Sequence, residues 1–172
     1  MHALITAMAL GSIAVDIAIL ACLGSLFHAT ARGALMRFVR SYGLLLLFLL
    51  SAVSVAATLF LQYADLLAPC ILCWWQRIFM YPIAIISLIA LIKGKTLSDI
   101  ADYVLVLASF GAAVAFYQHL LQILPSGSLI PCDASNDCAA RLVFEFGFVT
   151  IPWMAFSVFA LIALVAVIGR KQ

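Results

Sequence analysis

The stretch Pro69-Cys70-Ile71-Leu72-Cys73-Trp74-Trp75-Gln76-Arg77 opens an apolar run that continues to about Ile92. Proline suits the start of a helix, where its missing N–H costs nothing, so we expect a helix to begin at about Cys70. The cysteine pair then lies on the first turn, where unpaired N–H groups and the helix dipole favour a thiolate. Arg77 follows Cys73 by four residues on the same face, and a cation inside a membrane helix usually has a function. The sequence therefore predicts a reactive dithiol with a fixed positive charge behind it.

The composition is that of a membrane protein. The chain has 172 residues, of which 67% are hydrophobic and 9% are charged, and its mean hydropathy is +1.25. A water-soluble domain of this size cannot bury so much apolar surface. We therefore expect an all-α integral membrane protein that crosses the bilayer several times.

Five apolar runs are long enough to cross a bilayer, at about 3–27, 42–61, 70–92, 101–124 and 146–168. Between them we expect a basic loop with Arg32, Arg37 and Arg40, a short loop at 62–69, a second basic loop at 93–99 and a long loop at 125–145. Ala29-Thr30-Ala31 imitates a signal-peptide cleavage site, but no Lys or Arg precedes the first run, so we expect it to be retained. The chain then divides into an extra N-terminal transmembrane helix, 1–30, and a four-helix membrane domain, 31–172.

The basic residues predict the topology. The two basic loops and the C-terminus carry most of the Lys and Arg, which places them on the cytoplasmic side. The opposite side keeps Arg141, with Arg77 at the membrane edge. The N-terminus is then outside and the C-terminus cytoplasmic. Both close cysteine pairs face the outside, where an oxidising compartment permits disulfides.

Two residues of the first run have no obvious partner in the sequence. Asp16 sits mid-span, where a carboxyl is costly, so it pairs with a polar group on another helix, faces another subunit, or is buried neutral. Cys22 has no neighbouring cysteine, and we interpret it as a small packing residue.

The second close pair, Cys132 and Cys138, lies in a loop rich in Pro, Asp, Ser and Asn. The five intervening residues allow a small disulfide ring, and an exposed ring of this kind tends to exchange. The stretch 142–148 alternates apolar residues with Glu145 and Gly147, and we expect it to lie on the membrane surface. It would hold the loop near Cys70.

Three interpretations of these four cysteines remain open. They could form structural disulfides, or they could bind zinc, although no histidine lies in the outer loops. A redox relay fits best, because thiol–disulfide exchange needs two accessible pairs close together. Since the sequence has no haem or flavin motif, the natural acceptor of the electrons is a lipid-soluble quinone. We expect neither a nucleic-acid partner nor a bound metal.

Three motifs resemble the DsbB family of disulfide bond formation membrane proteins, and most of all its BdbC-like branch. The first is Cys70-Ile-Leu-Cys73-Trp-Trp-Gln76-Arg77-Ile-Phe-Met-Tyr-Pro82. The second is Tyr117-Gln118-His119-Leu-Leu-Gln122-Ile-Leu-Pro125-Ser126. The third is the Cys132–Cys138 loop followed by Ile151-Pro152-Trp153. Together they cover roughly residue 42 to the C-terminus.

The resemblance implies a DsbB-like four-helix bundle in a bacterial plasma membrane. Such a protein reoxidises an extracytoplasmic thioredoxin-fold oxidase of the DsbA type. Electrons would pass from this partner to Cys132 and Cys138, then to Cys70 and Cys73, and then to ubiquinone or menaquinone. By analogy, Cys132 would form the mixed disulfide with the partner, and Cys73 would be the thiolate that faces the quinone.

The resemblance also implies which other residues lie at the quinone. Arg77 would stabilise the thiolate and the negative charge that develops on the reduced quinone. His119 would lie near the quinone. The alternative is that His119 is a polar residue at the end of a helix, at the membrane interface, with no contact to the quinone. Gln76 and Gln122 belong to the same matched motifs, and we place them at this site as well.

The sequence departs from the family in two places, and two rival functions remain. The loop cysteines are closer together than in the best-known members, and the first span has no counterpart in the four-helix core. One rival is a thiol oxidase related to vitamin K epoxide reductase, in which the membrane Cys-x-x-Cys lies on the last core helix. Here it opens the second core helix. The other rival is a non-enzymatic membrane protein with structural disulfides, against which Arg77 argues.

Overall fold

The computed structural model describes residues 2–64, 69–124, 138–141 and 143–170. It contains five helices: α1 (His2–Ser25), α2 (Ala29–Ala64), α3 (Ile71–Ile92), α4 (Leu97–Ile123) and α5 (Ile151–Gly169). All five are long and apolar enough to cross a membrane, which confirms the predicted all-α membrane fold. Outside these helices, the described part of the chain has one isolated antiparallel bridge, between Glu145 and Val149.

The second helix is longer than the sequence predicted, and the expected loop around Arg32, Arg37 and Arg40 is wrong. These arginines lie in the first turns of α2, which has 36 residues. At about 1.5 Å per residue the helix measures roughly 54 Å, well beyond the roughly 30 Å of a bilayer core. The basic turns can therefore remain helical outside the core, because Ala, Leu, Met and Arg are good helix formers.

Two other helices, α4 and α5, begin at residues other than those predicted, because capping residues determine where each helix begins. Asp99, expected in the second basic loop, lies in the first turn of α4, where its carboxylate accepts a hydrogen bond from the Thr96 N–H at 2.8 Å. The last helix begins at Ile151 rather than at about residue 146. Its N-cap is Thr150, whose hydroxyl accepts a hydrogen bond from the Trp153 N–H at 3.2 Å.

Glycines allow the core helices to approach closely. A Cβ at Gly111 of α4 would lie 2.4 Å from the Phe159 ring of α5, so only glycine leaves room for this ring. Leu97 of α4 packs in the same way against Gly43 of α2 and Gly169 of α5. The third helix packs against α2 and α4, which fixes the position of its cysteine-bearing end.

The first helix packs mainly against α5 and much less against α2. Ala9 is fully buried beside Val149 and Met154. The Asp16 carboxylate accepts a hydrogen bond from Trp153 Nε1 at 3.1 Å, so this carboxyl pairs with a polar group on another helix. Because α1 packs mainly against α5, a space remains between α1 and α2.

Basic residues gather at the end of the bundle opposite the dithiol. Lys93 and Lys95 follow the last turn of α3, whose first turn follows Cys70. Arg170 follows α5 and forms an exposed ion pair with Asp102 of α4 at 2.6 Å. This is the charge distribution on which the topology was based, and the side of the membrane that each end faces stays a prediction.

Candidate functional site

The Cys70–Cys73 pair lies at the head of α3. The helix begins at Ile71, so Cys70 is its N-cap residue, one position before the predicted first turn. The two sulfur atoms lie 3.3 Å apart, in hydrogen-bond contact as a dithiol. Cys70 is buried, whereas Cys73 is partly exposed. The two thiols therefore have different surroundings although they are three residues apart.

A glutamine of α4 contacts both thiols. Gln118 Nε2 lies 3.2 Å from Cys70 Sγ and 3.5 Å from Cys73 Sγ, and Gln118 is only 2% exposed. Gln76 Nε2 donates a hydrogen bond to Gln118 Oε1 at 2.6 Å. This bond orients the amide of Gln118, so that its N–H donors face the sulfur atoms.

Sequence reasoning did not include Gln118 among the site residues. The available signal was its position four residues before Gln122, since residues at this spacing share a helix face. Two glutamines on one face of an apolar span need polar partners. Their partners could not be found from the sequence, because they depend on how α3 and α4 pack.

Cys138, from the second predicted pair, lies beside Cys70. Its side chain hydrogen-bonds Cys70 and is 1% exposed. Gln122 holds this segment, because its Nε2 donates to the carbonyl oxygens of Cys138 at 3.4 Å and Ala140 at 3.0 Å. The structure thus brings three of the four predicted redox cysteines into one buried cluster. Cys132 lies outside the described residues, and its pairing with Cys138 stays a prediction.

The surroundings of Cys70 keep its thiol protonated. The hydrogen bond with Cys73, and to a lesser extent burial, raise the pKa of Cys70 well above its ordinary value. A protonated Cys70 donates its hydrogen to the Cys73 sulfur, so a negative charge on the pair falls on Cys73. This is the charge distribution that the predicted thiolate role of Cys73 requires.

Arg77 is buried one turn below Cys73 and is held by α2. Its guanidinium donates hydrogen bonds to the Gln62 side-chain oxygen and, at 3.1 Å, to the Thr58 carbonyl oxygen. The guanidinium also lies 5.2 Å from the centroid of the Trp74 ring. Gln62, which was predicted to lie in a loop, is in the last turn of α2. Because all of these partners are neutral, the positive charge of Arg77 remains available to an anion.

A cavity of about 590 Å³ opens beside the dithiol. Its polar end is formed by Cys73, Gln76, Arg77 and Gln62, and aliphatic residues of α1, α2, α3 and α5 form most of the remaining wall. This volume falls within the range of about 300–1,000 Å³ that is usual for small-molecule sites. Two of the residues predicted at the quinone, Gln76 and Arg77, thus share one cavity with Cys73.

The other two residues predicted at the quinone, His119 and Gln122, do not line this cavity. His119 is buried, with Nδ1 2.9 Å from Thr150 Oγ1 and its ring 4.8 Å from the Trp153 ring centroid. These contacts tie α4 to the head of α5. Gln122 faces the Cys138 segment. Their contact with a quinone stays a prediction.

The fold and the site define a class, namely a helical membrane protein with clustered cysteines beside an apolar cavity. Comparison with known sequences identifies the family within this class. The family model described as disulfide bond formation protein DsbB matches residues 40–169. The SPbeta prophage-derived disulfide bond formation protein B of Bacillus subtilis (strain 168) is 45% identical over 126 residues, which are 73% of this chain and 83% of the relative.

Two further relatives agree with this result. Disulfide bond formation protein C of Bacillus subtilis (strain 168) is 41% identical over 97 residues, which are 56% of this chain and 69% of the relative. A probable disulfide formation protein of Chlamydia trachomatis serovar D is 33% identical over 138 residues, which are 80% of this chain and 99% of the relative. No solved structure matches the chain.

The chain belongs to the DsbB family of disulfide bond formation proteins, which confirms the resemblance seen in its motifs. Membership makes it a disulfide-forming oxidoreductase in the general sense. The matched range begins at residue 40, so α1 and the first turns of α2 lie outside it.

Proposed function

We propose that this protein is a membrane dithiol:quinone oxidoreductase that reoxidises a DsbA-like thioredoxin-fold protein outside the cytoplasm. The observation that carries the proposal is the contact of Cys138 with Cys70, while Cys73 lines the cavity that Arg77 also lines. Cys138 of the loop pair is thereby in contact with Cys70 of the dithiol, and Cys73 of the dithiol lines a cavity large enough for a small-molecule ligand. Family membership supports the same chemistry.

The exchange begins between the partner and the loop pair, which rests as a Cys132–Cys138 disulfide. A thiolate of the reduced partner attacks Cys132 and releases Cys138 as a thiolate. Cys138 then attacks Cys70 of a Cys70–Cys73 disulfide, and Cys73 leaves as a thiolate. The contact between Cys138 and Cys70 in the dithiol form supports this order, because those two sulfurs must bond.

Two further exchanges complete the transfer. The second thiol of the partner attacks the mixed disulfide, so that the partner leaves oxidised and Cys132 is a thiol. Cys132 then attacks Cys138, which restores the loop disulfide and releases Cys70. The net result is one oxidised partner and one reduced Cys70–Cys73 dithiol, which holds the two electrons and two protons that the partner lost.

The cavity beside Cys73 fits a quinone. Arg77 and Gln76 provide donors for carbonyl oxygens at one end, and the aliphatic wall suits an apolar ring and chain. A quinone held there would accept two electrons and two protons from the dithiol and become a quinol, leaving a Cys70–Cys73 disulfide. Gln118 holds both sulfurs in place, and Arg77 keeps a positive charge where negative charge develops.

The order of exchange can be tested by leaving only two cysteines at a time. Both variants carry Cys22→Ala and Cys132→Ser. One adds Cys73→Ser and keeps Cys70 with Cys138, and its matched control adds Cys70→Ser and keeps Cys73 with Cys138. Each protein is treated with oxidised glutathione in detergent, and the remaining thiols are counted over time by maleimide labelling and mass spectrometry.

We expect the internal disulfide to form much faster between Cys70 and Cys138 than between Cys73 and Cys138. The reason is that Cys138 hydrogen-bonds Cys70, whereas Cys73 faces the cavity. Equal rates, or no disulfide in either variant of folded protein, would contradict the proposed relay. The second result would favour structural disulfides in this protein.

A further inference from the structure

The wall of the cavity includes a helix that lies outside the family match. Met8, Gly11, Ser12 and Val15 of α1 line the cavity, whereas the family model matches residues 40–169. On the opposite side the wall is formed by α2 residues such as Leu50 and Val53. The cavity therefore extends from the polar end at the dithiol to a space between α1 and α2.

The α1 wall is apolar and leaves room. The Ser12 hydroxyl donates to the Ala9 carbonyl oxygen of its own helix at 2.9 Å, so it offers no donor to a ligand. A Cβ placed at Gly11 would have no atom within 4 Å, which shows that this glycine faces open space rather than a packed neighbour. Such a surface offers contacts to hydrocarbon and no free hydrogen-bond donor.

The first helix is also fixed in place by its contacts with α5. The Asp16 carboxylate accepts a hydrogen bond from Trp153 Nε1 at 3.1 Å, and Ala9 is fully buried against α5 and the segment that precedes it. These contacts fix the position of α1, and they therefore also fix the space between α1 and α2.

We propose that α1 and α2 form a binding subsite for the isoprenoid chain of the quinone whose ring lies at Cys73 and Arg77. This inference rests on the proposed function and adds to it, because it assigns a role to the helix outside the family match. The continuity of one cavity argues for this occupant, since the aliphatic wall offers apolar contacts to a hydrocarbon chain attached to a ligand at the polar end.

The test changes the α1 wall without touching the dithiol or Arg77. Gly11→Ala and Gly11→Leu fill the open space in two steps. Gly24→Leu is the matched control, because Gly24 is also a glycine of α1 with no atom within 4 Å of an added Cβ, and it does not line the cavity. Circular dichroism and size-exclusion profiles establish that each variant is folded.

The readout is equilibrium binding, followed by quenching of tryptophan fluorescence in detergent. The probes are a menaquinone with a four-unit isoprenoid chain and menadione, which has the same ring without the chain, and a ubiquinone pair chosen in the same way. Gly11→Leu should weaken binding of the long-chain quinone by about tenfold, the loss expected when one or two methylene groups can no longer be buried. Gly11→Ala should have a smaller effect, and menadione binding should be unchanged. Gly24→Leu should change neither.

If Gly11→Leu leaves the affinity for the long-chain quinone unchanged, the proposed subsite is wrong. It is also wrong if Gly11→Leu weakens the binding of quinones with and without a chain by the same factor. Phospholipid that co-purifies with the wild type and is lost from Gly11→Leu, with quinone affinity unchanged, would assign the wall to a lipid acyl chain instead. Failure of every quinone to bind the wild type would refute the proposed function as well. The two failures are therefore distinguishable.

Discussion

Replacing Gln118 with methionine removes the N–H donors that face the dithiol and keeps a side chain of similar length. In the structure, Gln118 Nε2 lies 3.2 Å from Cys70 Sγ and 3.5 Å from Cys73 Sγ, at a site where Gln118 is only 2% exposed. We expect Gln118→Met to lower the reactivity of Cys73, because its thiolate loses a donor that water is not placed to replace.

The size of the effect follows from the contact that is lost. A hydrogen bond to a charged group contributes about 1.5–3 kcal/mol, and about 1.4 kcal/mol corresponds to a factor of ten. Since the distance to Cys73 Sγ is 3.5 Å, the lower end of this range applies. At a pH low enough for the Cys73 thiolate to be the minor form, its population, and with it the alkylation rate, should fall by about tenfold.

The assay is alkylation of the fully reduced protein in detergent, at a series of pH values from neutral to mildly acidic. Mass spectrometry of the cysteine-containing peptides gives the rate at Cys73, and Cys22 of α1 serves as an internal reference. Gln122→Met is the matched control, because Gln122 is also a glutamine of α4 but donates to backbone carbonyl oxygens rather than to sulfur. Gln122→Met should lower the alkylation rate of Cys73 far less than Gln118→Met does. An unchanged ratio of the Cys73 and Cys22 rates in Gln118→Met would refute the reasoning.

Three further predictions concern single side chains. Arg77→Met should weaken quinone binding by at least about tenfold, measured by tryptophan quenching, because the cavity loses a charged donor worth about 1.5–3 kcal/mol. Thr150→Val should destabilise the fold by about 1–2 kcal/mol, measured by thermal unfolding in detergent, because His119 loses a bonding partner and α5 loses its N-cap acceptor. Gly111→Ala should cost about 1–3 kcal/mol in the same measurement, because the new Cβ would lie 2.4 Å from the Phe159 ring.

Each of these variants has a control. Arg77→Lys keeps the positive charge and should retain more quinone affinity than Arg77→Met, and equal loss in the two would show that the charge is not what matters. Ser109→Ala removes a hydroxyl that bonds only within α4 and should leave the unfolding midpoint unchanged. Gly24→Ala adds a Cβ with no atom within 4 Å, so a midpoint shift as large as that of Gly111→Ala would count against the packing argument.

The membrane fold and the dithiol were predictable because each depends on a short stretch of sequence. Apolar runs of about 20 residues predict spans, and Pro69 predicts a helix start beside Cys70. The predicted loop around Arg37 is wrong, because a basic stretch before an apolar run resembles a loop, whereas α2 begins at Ala29 and includes this stretch. Charge sets where a helix leaves the bilayer core, and it does not by itself set where the helix ends.

The contacts that complete the site were not predictable, because they join distant parts of the chain. The Gln62 side chain receives a hydrogen bond from Arg77, and this depends on how α2 packs against α3. Gln118 reaches the dithiol only because α4 packs beside α3. The cavity between α1 and α2 exists because α1 packs mainly against α5. Spacing within one helix carries no information on such contacts.

The central claim is that electrons from a partner dithiol pass through Cys73 to a quinone. The most direct test mixes the purified protein with a reduced DsbA-like partner and a soluble quinone analogue, and follows quinone absorbance over time, with Cys73→Ser as the control. Our account predicts a loss of quinone absorbance that requires both the partner and Cys73. No loss with several quinones and partners, or an equal loss with Cys73→Ser, would contradict it.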